Sequence, residues 1–306
     1  MENARPSFSI IIPTYERFKE LDACLDSITN IEYPEDKFEV IVVDDGSTNS
    51  PEDVVKAYQT RIDVKLIIQE HAGPAAARNR GAREATGKFL AFTDDDCKPS
   101  RDWLGKLADR FTQDEDCLVA GRTANALPDN PYSTASQLIV DYLHAYNNNK
   151  GSRFLTSNNM ALSRERFWEA GGFDTSFPLA AGEDREFCDR CLYNGFRTVY
   201  DPDVIVNHAH PLTFGKFLRQ HFNYGIGAFN FHEIRARRSR QKMRIEPFSF
   251  YVNLILYPRK ARNKQKLKLS VLMFLSQVAN AWGYFRKRSA ELIRNKQDNR
   301  KGSRLH

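Results

Sequence analysis

The first third of the chain alternates short, unbroken apolar runs with stretches of helical periodicity. Phe8 to Pro13 and Phe38 to Val43 are apolar runs, the first ended by proline, and each predicts a buried strand. Between them, Phe18 to Thr29 sets Leu21, Leu25 and Ile28 on one helical face. A helix around Asp53 to Thr60 and a strand from Val64 to Ile68 follow. Pro74 to Ala85 is expected as a helix opened by Gly73-Pro74, with proline in its first turn. Phe89 to Phe92 is the fourth strand. Strands that are apolar throughout and alternate with helices predict an α/β fold built on a mostly parallel sheet covered on both faces. In open sheets of that kind, ligands bind beyond the carboxyl ends of the strands. Two acidic clusters stand at such ends: Asp44-Asp45-Gly46-Ser47 after the second strand and Asp94-Asp95-Asp96 after the fourth.

From Cys117 the pattern is mixed, with short apolar runs at Leu118 to Ala120, Met160 to Leu162, Thr198 to Tyr200 and Val204 to Val206. Beyond Thr213 the helical segments are rich in aromatics. A basic run follows from Arg235 to Arg244, then apolar stretches at Phe248 to Tyr257 and Leu267 to Phe285, with more cations around them. The net charge of +6 is therefore uneven, acidic before Asp203 and basic after Arg235. Such asymmetry predicts a tail that meets an anionic surface, membrane or nucleic acid, against the plainer reading of a solvated tail. The stretch from Leu267 to Phe285 carries Ser270, Ser276, Gln277 and Asn280, too polar for a spanning helix, and Phe248 to Tyr257 is too short. With their flanking Lys and Arg they read as interfacial helices on an anionic leaflet, so peripheral membrane contact through 245–306 is expected and nucleic acid is not. Packing of both stretches as ordinary core helices is the alternative.

Charged residues are 27% and hydrophobic residues 41% of the 306, ordinary for a globular protein. Five cysteines form an odd set. Cys188 and Cys191 have C-x-x-C spacing without a second pair to complete a zinc site, so buried thiols are expected. Met1 to Pro6 runs into the first strand with no apolar signal segment. The expected location is cytoplasmic, at the inner face of the cell membrane.

Three adjacent carboxylates repel one another and call for a compensating cation, and oxygen ligands on a short loop suit Mg²⁺ or Mn²⁺, against the plainer reading of a solvated acidic turn. A carboxylate in Asp44-Asp45-Gly46-Ser47 can accept from a ribose hydroxyl or a base N–H, although Asp-Gly-Ser is also common turn chemistry. In Ala77-Arg78-Asn79-Arg80-Gly81 a cation could reach a diphosphate, or form a surface pair. Gly182-Glu183-Asp184 offers a general base, against the plainer role of acids at a helix start. His208 and His210 flank an alanine after a strand, where one imidazole could meet a metal.

The order of these motifs, from Ser9-Ile10-Ile11-Ile12-Pro13-Thr14-Tyr15 through Asp44-Asp45-Gly46-Ser47, Ala77-Arg78-Asn79-Arg80-Gly81, Asp94-Asp95-Asp96 and Gly171-Gly172-Phe173-Asp174 to Gly182-Glu183-Asp184, resembles the family 2 glycosyltransferases of the GT-A fold. The resemblance covers about residues 7–230. It implies inverting transfer from a nucleoside diphosphate sugar, a UDP-sugar favoured, to a saccharide or lipid-linked acceptor, with Mn²⁺ or Mg²⁺ as cofactor. It implies that Pro13, Tyr15 and Asp45 hold the nucleotide with Asp44 close by, and Arg78, Asp94 and Asp95 complete the nucleotide side. Asp94 and Asp96 match the Asp-x-Asp element, with Asp96 the principal metal ligand and His208 or His210 at a position of a metal-binding histidine. Asp184 matches the catalytic base, with Glu183 nearer the acceptor. Processive relatives carry Gln-x-x-Arg-Trp where this chain reads Gln220-His221-Phe222-Asn223-Tyr224, so one or a few transfers per acceptor are expected.

The expected domains are a GT-A catalytic domain at 1–230, with a nucleotide half at 1–115 and an acceptor half at 116–230, and a helical basic extension at 231–306. A nucleotidyltransferase would need a glycine-rich phosphate loop after the first strand, where this chain has Pro13-Thr14-Tyr15-Glu16-Arg17. A non-catalytic nucleotide- or carbohydrate-binding module on the same fold is the alternative from another class.

Overall fold

The computed structural model describes residues 5–148, 155–177, 179–239, 246–259 and 265–302. The chain packs as two compact units, Met1–Pro128 with Leu143–Pro211, and Asp129–Tyr142 with Leu212–His306.

The first unit holds an eight-stranded sheet. Its strands are β1 (Phe8–Thr14), β2 (Phe38–Asp44), β3 (Val64–Ile68), β4 (Phe89–Thr93), β5 (Cys97–Pro99), β6 (Leu118–Asn125), β7 (Asn159–Ser163) and β8 (Thr198–His208), in the order β3-β2-β1-β4-β7-β6-β8-β5. The pairings β3-β2, β2-β1, β1-β4 and β6-β8 are parallel, while β4-β7, β7-β6 and β8-β5 are antiparallel. The strands β1 to β4 are thus parallel to one another, and the rest of the sheet is mixed. Thr198–Tyr200 and Val204–Val206, which read as two runs, are one strand, β8; it carries the irregularity itself, since consecutive Gly121 and Arg122 of β6 pair with Asp201 and Ile205 and leave 202–204 unpaired with β6.

Helices α1 (Phe18–Ile28), α2 (Glu52–Lys56), α3 (Pro74–Glu84), α4 (Trp103–Gln113), α5 (Pro131–Asn148), α6 (Arg164–Glu169) and α7 (Glu183–Tyr193) connect the strands. Isoleucine and valine fill β1 and β2 because both faces are covered. One buried cluster joins Ile10, Ile12, Val40 and Val42 to α1 and α4 residues such as Leu21, Leu25 and Trp103. On the other face Ile11, Ile41 and Val43 meet Ala75, Ala77 and Ala82 of α3. The small residues of α3 let it lie close: a β-carbon on Gly81 would come 2.6 Å from Ile11 Cγ2. Pro13 is tolerated in a central strand because the β1–β4 pairing ends at Ile11 and Phe92. All five cysteines are free and buried, including Cys188 and Cys191, for which that was expected.

The second unit is helical. It contains the start of α5 with α8 (Phe214–Ser239), α9 (Phe248–Leu256) and α10 (Lys266–Gly302). Helices α8 and α10 touch backbone to backbone: a β-carbon on Gly225 would fall 1.9 Å from the Asn280 carbonyl, and one on Gly283 would fall 2.0 Å from that of Phe222. Among the described residues no helix is long and apolar enough to cross a membrane.

Candidate active site

The parallel strands β1, β2 and β4 all end at one edge, and each delivers site residues there. β4 ends at Thr93, and the backbone N–H of Cys97 turns back to donate to the Asp94 carbonyl at 3.1 Å. The short strand β5 then pairs Cys97 with His208, and the Ala209 N–H donates to the Asp96 carbonyl at 2.8 Å. This pairing brings His208 and His210 to a triplet more than a hundred positions earlier in the chain.

The three aspartates go to different partners. Asp94 accepts from Arg78 Nη2 at 2.7 Å. Asp95 accepts from Thr14 Oγ1 at 2.8 Å and from Arg17 Nη1 at 2.8 Å. Asp96 accepts from the same Arg17 nitrogen at 2.9 Å and lies 3.2 Å from His208 Nε2. Asp96, His208 and His210 each offer a ligand atom within 4.8 Å of the other two, and Asp94 is not in that group. One carboxylate oxygen and two imidazole nitrogens form a donor set that fits a divalent transition ion such as Mn²⁺ better than Mg²⁺, which prefers oxygen.

The electrostatics separate the triplet. Burial raises the Asp95 carboxyl to about 7, against the pull of Arg17. Burial acts on Asp96 in the same direction but is outweighed by His208 and Arg17, so its carboxyl sits well below the usual range. Burial lowers His210 to about 4, while Asp96 raises His208 in spite of its burial.

Gly182 takes a left-handed conformation (φ 94°) and opens α7 with Glu183 and Asp184. Arg78 Nη1 donates to Glu183 Oε1 at 3.1 Å, so one buried guanidinium ties the end of β4 to the start of α7. The other Glu183 oxygen and Arg78 Nε are buried without a hydrogen bond to any described residue. Burial, then the neighbouring Asp184 charge, raises Glu183 to about 7, and burial raises Asp184 too. The next residue on α3, Asn79, donates to the Phe173 carbonyl at 2.8 Å and accepts from its N–H at 2.9 Å. A β-carbon on Gly172 (φ +66°) would come 2.8 Å from Asn79 Oδ1. The Ala-Arg-Asn-Arg-Gly and Gly-Gly-Phe-Asp motifs are therefore two sides of one junction that sets the entry to α7. Arg80 points away and pairs with Glu84 on the surface.

At the end of β2 the carboxylates serve the fold in the first instance. Asp44 Oδ1 accepts from the Ser47 hydroxyl at 2.5 Å. Asp45 accepts from the N–H groups of Ala72 and Gly73 at 2.9 and 2.8 Å and from Gln69 Nε2 at 2.6 Å, which shapes the loop before α3. Tyr15 is half exposed, and its ring lies 4.5 Å from that of His71. Pro13 is only partly buried, one position before Thr14.

Sequence reasoning missed Arg17, Thr14 and His71. Arg17 had a visible signal, a cation directly after the turn that ends the first strand; Glu16 takes φ 55° to make that turn.

A mixed sheet whose strands β1 to β4 run parallel, flanked by helices, is the α/β architecture of the GT-A glycosyltransferases. The family model described as Glycosyl transferase family 2 matches residues 9–171, and a second, Glycosyl transferase family group 2, matches 94–285. The chain belongs to glycosyl transferase family 2, and it is a glycosyltransferase. It is 29% identical over 234 residues to Glycosyltransferase AglE of Haloferax volcanii, with 74% of each chain covered. Several further curated relatives are longer, and the chain spans 24% to 52% of their length. In fold it is similar to the mannosyltransferase PcManGT of Pyrobaculum calidifontis, solved with GDP-Man and Mn²⁺ (TM-score 0.63, 20% identity, 92% of this chain and 88% of that one). It is also similar to S. aureus TarS 1–349 with UDP (TM-score 0.53, 18% identity, 94% and 91% covered).

Proposed function

We propose that this chain transfers a sugar from a nucleoside diphosphate sugar to an acceptor hydroxyl with inversion at the anomeric carbon. The observation that carries the reading is Arg78, buried between Asp94 and Glu183, which holds a donor-side carboxylate and a base-side carboxylate pair in one cleft. Asp184 is the general base: a partly buried carboxylate raised in pKa removes a hydroxyl proton more effectively at neutral pH. Glu183 lies beside it toward the acceptor. A single base opposite the leaving group gives inversion. Pro13, Tyr15, Asp44 and Asp45 line the nucleotide side, where the Tyr15–His71 ring pair offers a face for a base to stack on. Arg78, with Asp94 and Asp95, is assigned to the diphosphate side.

Asp96, His208 and His210 would hold Mn²⁺ or Mg²⁺, with Asp94 nearby. When bound, the ion would neutralise charge that develops on the departing diphosphate. The metal dependence is supported by the donor set and by the Mn²⁺ in the PcManGT complex. The acceptor is a saccharide or a lipid-linked glycan, and the cationic C-terminal unit favours the latter at the inner face of a membrane. The catalytic region is read as 1–230 and the basic extension as 231–306.

The test is calorimetric titration of UDP, GDP, CDP and ADP into the purified chain, with and without Mn²⁺, repeated on Asp96→Ala. Metal-dependent binding of one diphosphate, lost in the variant, supports the reading and names the donor class. If the folded protein binds none of the four in either condition, the reading falls and a non-catalytic module takes its place.

A further inference from the structure

Helix α10 has two apolar faces where a helix packed on one neighbour needs one. Its inner face, with Leu269, Leu272, Met273 and Ala279, is buried. The outer face carries Leu267, Val271, Phe274, Val278, Trp282 and Phe285, all between 49% and 80% exposed. Their spacings of 4, 3, 4, 4 and 3 residues keep them in one stripe along the helix, more than four turns long. An exposed, contiguous apolar stripe with two large aromatics marks an interaction surface rather than ordinary surface wear.

The charges beside the stripe say what covers it. From 265 to 290 the sequence has Lys266, Lys268, Arg286, Lys287 and Arg288 and no acidic residue. The next acid, Glu291, is already paired with Lys287 and Arg294. A second copy laid along the same stripe would set cations against cations with no carboxylate to meet them, which costs pairing energy. An anionic lipid surface meets both features at once. The aliphatic and aromatic side chains enter the headgroup–acyl boundary, and the Lys and Arg side chains meet lipid phosphates. The helix lies in the interface, in keeping with the absence of a spanning helix among the described residues.

We propose that the outer face of α10, centred on Phe274 and Trp282, is a lipid-docking surface that seats the chain on an anionic bilayer. The proposal deepens the membrane-acceptor reading and rests on it only for its biological purpose, since docking itself needs no sugar nucleotide. Apolar burial and phosphate contact act together, so neither uncharged lipid nor the cations alone should suffice.

The experiment is co-sedimentation of the full chain with phosphatidylcholine vesicles, with and without phosphatidylglycerol, alongside sedimentation velocity without lipid. The wild-type chain is expected to pellet with the anionic vesicles and to partition at least about tenfold more weakly onto neutral ones. Val271→Ser/Phe274→Ser/Val278→Ser removes the apolar stripe at exposed positions and is expected to lose at least about tenfold in partitioning. Lys268→Gln/Arg288→Gln should lose less and remove part of the salt dependence. Trp282 emission should shift to the blue on vesicles and be quenched by brominated lipid. Wild-type protein left in the supernatant overturns the proposal, and so does a triple variant that pellets unchanged. A lipid-independent dimer that the triple variant abolishes overturns it in favour of a second copy. Nucleoside diphosphate titration of the triple variant keeps the readings apart: retained binding with lost pelleting isolates the lipid surface, and pelleting without nucleotide binding in the wild type would fell the transfer reading alone.

Discussion

At the end of β4, Asp96 is met by Arg17 and His208, and its carboxyl stays far below the ordinary range despite almost complete burial. At the start of α7, Glu183 is just as buried and shares Arg78 with Asp94, and its carboxyl rises to about 7. The two groups are the same chemistry at similar depth. What separates them is the cations within contact: Asp96 has His208 as well as an Arg17 shared with Asp95, whereas Glu183 has only an Arg78 shared with Asp94. A carboxylate kept ionised is suited to holding a cation, and one kept near its titration point is suited to moving a proton. Burial alone would have given both groups the same role.

The sharpest way to break the contrast is to substitute Asp184, the proton acceptor proposed above. Asp184→Asn keeps the size of the side chain and its place at the head of α7 but cannot take a proton. Transfer is expected to fall by roughly 10²–10⁴-fold. Nucleoside diphosphate affinity should change little, because Asp96 and its partners are untouched. Steady-state kinetics beside calorimetry checks both halves. Equal loss of binding and turnover would assign Asp184 to the donor instead.

The next effect is on stability. Arg78→Met removes the guanidinium shared by Asp94 and Glu183 and leaves a buried acid without its cation. Losing one partner of a buried pair costs about 3–5 kcal/mol. Urea unfolding should show a fall of that order, and Arg78→Lys should recover only part of it, since an ammonium cannot span both carboxylates with a planar fork. An unchanged midpoint would mean that the bridge is dispensable.

A smaller effect is expected from pH. Glu183 titrates at about 7 in the folded chain against an ordinary value of 4.5. The folded state therefore holds a proton that the unfolded state has lost between those two values. Stability from this pair is fully present below 4.5 and declines as pH rises to about 7. Activity runs the other way, because the pair must be ionised to act, so kcat/KM should climb toward a plateau above about pH 7. Glu183→Gln should flatten the stability slope. A pH–rate profile and denaturation midpoints at several pH values test the two signs independently.

How much of this was legible in the sequence follows the range of the interactions. The four strands of the parallel half were readable to within a residue or two, because strands covered on both faces must be apolar at every position. The acidic triplet was readable because three adjacent carboxylates at a strand end are costly without a function. Helix α2 ends at Lys56, short of the expected Thr60, because Tyr58, Gln59 and Arg61 donate to carbonyls three residues back and tighten into turns. Strand β5 has three residues and exists only by pairing with β8, so no local pattern announces it. The same pairing brings His208 to Asp96, which a motif could match but spacing could not. Arg17 was in plain sight, but its partners lie 78 and 79 positions away. The outer stripe of α10 was visible as hydrophobicity, and only packing divides it from the inner one.

Arg17 offers the finest test of the contrast. One of its nitrogens donates to both Asp95 and Asp96, so the single carboxylate of the cluster that would hold a divalent ion already has a cation on it. That cation is about a third exposed, so water screens it and its contribution to stability is small, under about 1 kcal/mol. Its effect on a second cation is different in kind. A charge that arrives at Asp96 must share the carboxylate with Arg17 and meets repulsion from it at short range. Arg17→Ala should therefore bind Mn²⁺ alone more tightly, by a few-fold, as read by the loss of the free-ion signal in electron paramagnetic resonance. The change should shrink when a nucleoside diphosphate is present, because the diphosphate's negative charge offsets the repulsion. If removing Arg17 instead weakens Mn²⁺ binding, the residue supports the cluster's geometry more than it competes for its charge. The low carboxyl of Asp96 would then rest mainly on His208.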